Sequence, residues 1–396
     1  MSSREGAQLQ RRIRHLAATF ERTDSMLLLA VAGMLVYGIL VVYGAGSFNR
    51  QASFSPLGQY FIIAKHLLMI AAGMGLLFLL VNADYNWFRS RWLNWGLLGA
   101  SFALVALTLV LKGDRQINRW ITVMGFSLQP VELAKIALIL FMAERLAGRN
   151  GAAPPRGRAL GALIGCGVLP LVLMLKLQPN YGNIMVIVGV TAVVLFISDL
   201  PRLWRWSVIV LPAAASLLIC AVSHKVQERV ASVLQGLQGG DYQYQVAQSL
   251  TGLGAGGWRG LGAGQSHNKY AFLPESHTDF VYSLVGEEFG LIGTLPLIAL
   301  LVFIIWRGYG IAMRAPDAFG RILAAGLTTG LGVYGFANIA MVTGIFPVVG
   351  VPLPFVSFGG SAMLGALASV GLLLNIERKN RSYHVVQRRW ERRGVV

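Results

Sequence analysis

Charge is scarce in this chain. Asp, Glu, Lys and Arg make up 13% of its 396 residues, against roughly a quarter in ordinary soluble domains. Acids are scarcer still, at 17 against 34 basic residues. There are two cysteines, Cys166 and Cys220, which excludes a disulfide-built domain and a Cys-based metal centre. Both fall in apolar stretches and read as small packing residues. Internal repeats of the kind many transporters show are lacking as well.

What is abundant is apolar residue, 55% of the chain, and mean hydropathy is positive. That excludes an ordinary soluble globular protein. Runs of about 20 apolar residues, each long enough at 1.5 Å per residue to cross a hydrocarbon core of about 30 Å, recur throughout. They predict spans at 25–45, 60–81, 93–111, 128–147, 159–176, 181–198, 206–223, 278–306, 322–343 and 356–376. The expected fold is an all-α polytopic membrane protein of about ten transmembrane helices.

The net charge of +17 raises nucleic acid as a partner, but the placement of the basic residues points elsewhere. Segments 1–24, 82–92, 144–158, 199–205, 307–321 and 377–396 hold 23 of the 34 Lys and Arg residues, and the predicted topology puts all six on one side. By the positive-inside rule both termini are cytoplasmic and no nucleic-acid partner is expected. The apolar run after the basic first 24 residues is too long for a signal-peptide core, so an uncleaved first span is expected. The organisation is then a cytoplasmic tail (1–24), a membrane domain (25–376) with a large extracytoplasmic loop (224–277), and a basic cytoplasmic tail (377–396).

Two literal motif matches carry no chemistry. Gly252-Leu-Gly254-Ala-Gly-Gly257 fits GxGxxG but follows no predicted strand, so its glycines read as points of tight turning and close backbone approach. Ser266-His-Asn-Lys269 fits SxxK, but the chain has no Lys-Thr-Gly to complete a penicillin-binding site.

Glu132 and Lys135 sit in a predicted span and make no metal site by themselves. Each charge costs about 2.5–3.5 kcal/mol near mid-membrane, whereas an i,i+3 pair returns only about 0.2–0.5 kcal/mol in peptide helices. A polar cavity on that helix face is expected. For Glu132 a competing reading is helix capping, with Gln129 as N-cap, Pro130 at N1 and Glu132 at N3.

The extracytoplasmic loop ends in Leu273-Pro-Glu-Ser-His-Thr-Asp-Phe280, where acids, a histidine and hydroxyls crowd the mouth of the eighth predicted span. Within the loop, apolar residues at Val226, Val230, Val233, Leu234 and Leu237 predict a short amphipathic helix lying in the interface.

Five ordered motifs carry a resemblance over nearly the whole chain. They are Asn118-Arg-Trp-Ile121 with Gln129-Pro-Val-Glu-Leu-Ala-Lys135, Gln248-Ser-Leu with its glycine-rich sequel, Leu273 to Phe280, Gly286-Glu-Glu288, and Pro354-Phe-Val-Ser-Phe-Gly-Gly-Ser361. Together they resemble the SEDS family (shape, elongation, division and sporulation). The resemblance implies a peptidoglycan glycosyltransferase that polymerises lipid II at the outer face of the cytoplasmic (inner) membrane. It also implies a class B penicillin-binding protein and other division proteins as partners. Gln248-Ser-Leu, Gly260 to Ser266 and the two basic tails look more like the division branch, FtsW, than the elongation branch, RodA. The family's usual Gln-Pro-Asp-x-Gly-Thr is replaced here by Gln178-Pro-Asn-Tyr-Gly-Asn183, so a carboxylate role at 180 is in doubt.

Joining lipid-linked sugars needs one general base, because a hydroxyl attacks the anomeric carbon and the pyrophosphate leaves without a proton. Glycoside hydrolysis, by contrast, needs two carboxylates. Asp279 is the expected base, against the alternative that it caps the following helix. Lys135, Arg119, Lys269 and Arg259 are candidate phosphate partners, with Glu132 beside Lys135. Trp120 is read as stacking on a sugar, or as an aromatic belt anchor. His277 and Glu275 are peripheral candidates, and one of Glu287 and Glu288 is expected in a structural ion pair. No cofactor is called for, and a divalent cation is left open. A flippase or transporter for lipid-linked precursor and a noncatalytic scaffold for the division machinery are the competing functions.

Overall fold

The computed structural model describes residues 24–46, 58–110, 119–123, 126–148, 156–198, 200–201, 206–268, 273–274 and 277–392. Helices dominate. They are α1 (Ser25–Gly46), α2 (Gly58–Asn82), α3 (Arg91–Val110) and α4 (Pro130–Ala147). A rod α5 follows, built of Arg156–Ala162, a π-helical Leu163–Val168 and Leu169–Leu177. Then come α6 (Tyr181–Ile197), α7 (Ser207–Val222), α8 (His224–Leu237), α9 (Tyr244–Gly256), α10 (Val281–Met313), α11 (Ala318–Val342) and α12 (Gly360–Arg392). A small antiparallel hairpin, β1 (Ile121–Val123) and β2 (Phe126–Leu128), leads into α4.

Among the described residues seven helices are long and apolar enough to cross a membrane, or up to eight if the bent pair Ile209–Val222 and His224–Leu237 is one span. Helical rods occupy all ten predicted positions, and three fall short for separate reasons. The α4 rod carries Glu132, Lys135, Glu144 and Arg145, while α6 and α7 have only 17 and 16 residues. The α8 helix meets α7 at 107°, the geometry of a helix lying along the interface. The last rod does not stop at 376 but continues as helix to Arg392. Cys166 is exposed on α5 and Cys220 is half-buried, so the packing role expected of Cys166 is not what its position shows.

Burial orders the rods. The α11 and α12 windows are 78% buried, against 17% for α2, and most of α4 and α6 is buried as well, so these four rods form the centre while α1 and α7 expose side chains such as Leu29 and Leu217.

Polar ties gather the basic segments at one end. Asp317 caps α11 through Gly320 N at 2.8 Å and accepts from Tyr85 at 2.5 Å and Arg89 at 3.2 Å. Asp24 caps α1 and pairs with Arg307 at 2.5 Å. Asn375 donates to the last carbonyls of α2. With Arg378 donating to the Val81 carbonyl at 3.2 Å and to Asn82 Oδ1 at 2.9 Å, these contacts bring 82–92, 307–321 and the first residues beyond 376 to one end. Burial and the Asp317 hydrogen bond together push the Tyr85 phenol well above its ordinary range.

At the other end a broken helix positions the loop residues. Gly290 interrupts α10 with φ of 62°, which frees carbonyls one turn above. Leu261 and Gly262 donate to the carbonyls of Glu287 and Glu288, while Leu291 and Ile292 donate to those of Gly257 and Trp258. Such a zipper needs two backbones in contact. A Cβ on Gly256 would lie 1.9 Å from the Gly286 oxygen, and one on Gly260 2.1 Å from that of Glu288. That is the work of the glycine run. Glu287 accepts from Ser266 Oγ at 2.5 Å and His267 N at 2.8 Å, so the serine of the SxxK match is a structural donor.

Candidate active site

Asp279 lies just before α10, whose N-cap is Phe280 without a side-chain cap bond. Asp279 lines a cavity of about 370 Å³ with Arg119, Tyr181, Lys225, Arg229 and Gly350. Asn338 on α11 holds the residue in place, donating to the backbone oxygens of Asp279 at 2.6 Å and of Val351 at 2.7 Å. Gly350, at φ of 65°, lets the chain pass the carboxylate closely, since a Cβ there would stand 3.3 Å from Asp279 Oδ2.

Three cationic side chains, Arg119, Lys225 and Arg229, line the same cavity. Arg119 is anchored by the turn before α6, through the carbonyls of Gln178 at 2.9 Å and Pro179 at 2.7 Å. Arg229 projects from α8 and donates to the Val348 oxygen at 2.5 Å. Burial holds the Arg119 guanidinium below its ordinary pKa, the charge of Arg229 adds to this, and that of Asp279 opposes it. Burial lowers Arg229 as well, yet a guanidinium stays protonated. Two partly desolvated cations beside one carboxylate make a site suited to an anion with a nucleophile's proton nearby.

Glu132 and Lys135 occupy a second, deeper cavity between α4, α6, α11 and α12, bounded by Tyr334, Pro352 and Gly365. They pair at 2.8 Å. The Tyr334 hydroxyl bonds Lys135 and Glu132, the latter at 2.8 Å, and Asn183 Oδ1 at 2.5 Å. The Lys135 ammonium also lies 3.8 Å from the centre of the tyrosine ring. Tyr334 has one proton for two acceptors, so it donates to one at a time while accepting from Lys135. Gln129 N is taken by Ser361 Oγ at 2.7 Å, and the Glu132 carboxylate faces Lys135 and Tyr334. Its role is the cavity network, not the cap.

The structure thus brings Asp279 and Arg119 together and puts Glu132 with Lys135 one layer below. Trp120 is 41% exposed beside Arg119. His277 stacks near Phe358 at 5.8 Å between ring centres and accepts from Phe358 N at 2.9 Å. Lys269 and Glu275 lie outside the described residues. Asn180 accepts from Asn183 at 2.9 Å, its buried Nδ2 has no hydrogen-bond partner among the described residues, and Arg119 is held by main-chain carbonyls of this turn.

A profile of the cell cycle protein family of FtsW, RodA and SpoVE matches residues 25–382. The chain belongs to this family. It is 33% identical over 365 residues to a probable peptidoglycan glycosyltransferase FtsW of Geobacter metallireducens, covering 91% of this chain and 96% of the relative. To the stage V sporulation protein E of Bacillus subtilis it is 32% identical, covering 92% and 100%. Among solved structures it resembles a chain from work on polymerization and crosslinking by a peptidoglycan synthase complex, with TM-score 0.71 and 28% identity over 90% of this chain and 98% of the other. Thermus thermophilus RodA aligns with TM-score 0.66 and 27% identity over 90% and 97%.

Sequence reasoning missed Arg229, Lys225, Tyr334 and Asn338. Arg229 and Lys225 lie on the amphipathic helix that the apolar spacing predicted, and its polar face held the signal: Lys225 and Arg229 are i and i+4. Tyr334 and Asn338 are i and i+4 on α11, lone polar groups in an apolar span, which is itself a signal of a polar cavity.

Proposed function

We propose that this FtsW/RodA/SpoVE family member is a peptidoglycan glycosyltransferase that polymerises lipid II at the outer face of the membrane. The observation that carries this is the single carboxylate of Asp279 sharing one cavity with Arg119 and Arg229 at the end of the molecule opposite the basic segments. In the reaction the acceptor sugar hydroxyl attacks the anomeric carbon of the donor, a C–O bond forms, and the bond to the pyrophosphate breaks with inversion. Asp279 takes the hydroxyl proton, and Arg119, Arg229 and Lys225 neutralise the departing lipid pyrophosphate. Among the described residues one carboxylate and three cations line this cavity, a poor donor set for a resident divalent cation, and this supports assigning neutralisation to these side chains.

The protein is a multi-pass protein of the inner membrane. The names of the FtsW relatives support a role in division, and the synthase complex supports pairing with a class B penicillin-binding protein. Binding instead to the transpeptidase of the elongation machinery would assign the chain to the other branch. The test is polymerisation of purified lipid II by the protein with its partner. Asp279→Asn, which keeps the side chain's size, should lose nearly all activity at unchanged protein level. A rate near wild type would rule out the base role, and lipid transport in liposomes without polymer would point to a flippase.

A further inference from the structure

A third cavity lies along α11, between it and α6 and α10. It has a volume of about 460 Å³ and is walled by Met185 of α6, Ile305 and Tyr309 of α10, a stripe of α11 from Thr328 to Ala340, and Phe346. Phe336 at its rim is 49% exposed. The lining is apolar except at its inner end, where Tyr309 and Thr329 bond each other at 2.9 Å. The stripe runs twelve residues along α11, or about 18 Å at 1.5 Å per residue. That is a little more than one leaflet of a hydrocarbon core about 30 Å thick.

Its outer end adjoins the wall of the Asp279 cavity. Tyr181 lines the catalytic cavity and Met185, one helical turn further along α6, lines the groove. Val348 lines the catalytic cavity and Phe346, two residues before it, closes the groove. A molecule with its diphosphate beside Arg119 and Arg229 therefore has an apolar trough leading from the headgroup into the outer leaflet. Resting on the polymerase reading above, we propose that this groove between α6, α10 and α11 holds the first part of the polyisoprenoid chain of the lipid-linked substrate. Small residues keep it open: Gly332, Ala337 and Ala340 lie on the stripe, and a Cβ on Gly332 would already stand 3.3 Å from Ile305.

The test places a benzophenone side chain at Ala340 in the groove and, as a control, at Leu217, which is 73% exposed on α7. Each protein is put in phosphatidylethanolamine–phosphatidylglycerol vesicles with a low mole fraction of lipid II and irradiated. Position 340 should capture lipid II at least fivefold more than position 217, and added undecaprenyl pyrophosphate should compete. Equal capture at the two positions, or capture of phospholipid only, overturns the groove whatever the polymerase activity. Enrichment at 340 in a protein that makes no glycan would instead sink the polymerase reading and leave the lipid groove standing. As a second readout, Ala340→Trp should raise KM about tenfold for lipid II with kcat little changed. It should leave KM unaltered for an analogue with a tail too short to enter the groove. An equal rise for both lipids would count against the proposal.

Discussion

Arg229→Gln tests the cationic half of the site. Arg229 reaches the cavity from α8, a helix that contributes to the wall with Lys225 and Val226, and among the described residues its hydrogen bond is to the Val348 oxygen at 2.5 Å. Its other guanidinium donors are thus available to a bound diphosphate. A charge-assisted hydrogen bond contributes about 1.5–3 kcal/mol, which converts to about 10- to 150-fold in kcat/KM. One opposing effect pulls toward the lower figure. Arg229 repels Arg119, and its removal lets the remaining guanidinium hold its charge more comfortably. The expected loss is therefore about 10- to 30-fold in kcat/KM. Arg229→Lys should recover part of it, since the charge returns without the fork. The assay is initial-rate polymerisation of lipid II by the protein with its partner, with folded protein measured alongside. A kcat/KM for Arg229→Gln within twofold of wild type would falsify the placement of the diphosphate between Arg119 and Arg229.

Two further outcomes follow from the outer end of the molecule. Gly260→Ala puts a methyl group 2.1 Å from the Glu288 oxygen at a φ of +78°, so overpacking and backbone strain should cost at least about 1–3 kcal/mol. It should show as a thermal midpoint several degrees lower in detergent, and an unchanged midpoint would refute the zipper at Gly290. Trp120→Ala should reduce polymerisation more than it reduces protein level if the indole meets substrate, and equal losses would assign it to anchoring alone.

The rods were legible because their signal is local: a run of about 20 apolar residues is unambiguous over its own length. The gathering of Arg89, Arg307 and Arg378 toward one end of the molecule follows the clustering of basic residues in the sequence, although Arg307 and Arg378 fall within long helices. Three elements escaped, namely β1–β2, the short helix Tyr85–Phe88 and α9. The α9 sequence, Tyr244–Gly256, is rich in glycine and polar residues, and its helix is stabilised from outside. Ser249 donates to the Val342 carbonyl at 2.8 Å, and Ser283 donates to that of Ser249 at 3.0 Å. Tertiary bonds of this kind leave no periodicity to read. In the site, Asp279 and Arg119 could be named from chemistry and resemblance, but that Lys135 belongs to a layer below depends on Tyr334, about 200 residues away in sequence.

That deeper layer poses a question of cost. Two intramembrane charges carry an insertion cost of about 2.5–3.5 kcal/mol each, and the pair at 2.8 Å is supplemented by the Tyr334 hydroxyl and ring. Removing one partner strands a buried charge, at about 3–5 kcal/mol, whereas replacing both by apolar groups of similar size is often nearly neutral. Glu132→Leu and Lys135→Met should each lower the thermal midpoint markedly, while the double variant should recover most of the loss, a strong non-additivity. Additive losses would show that the charges are screened by water and act independently. If folding does not need the pair, two buried charges near the outer end of α4 point to chemistry. Polymerisation by the double variant should then fall at least tenfold although the protein is folded. Full activity would make Glu132 and Lys135 a structural clasp between α4 and α11, and the cations of the reaction would be those of the outer cavity alone.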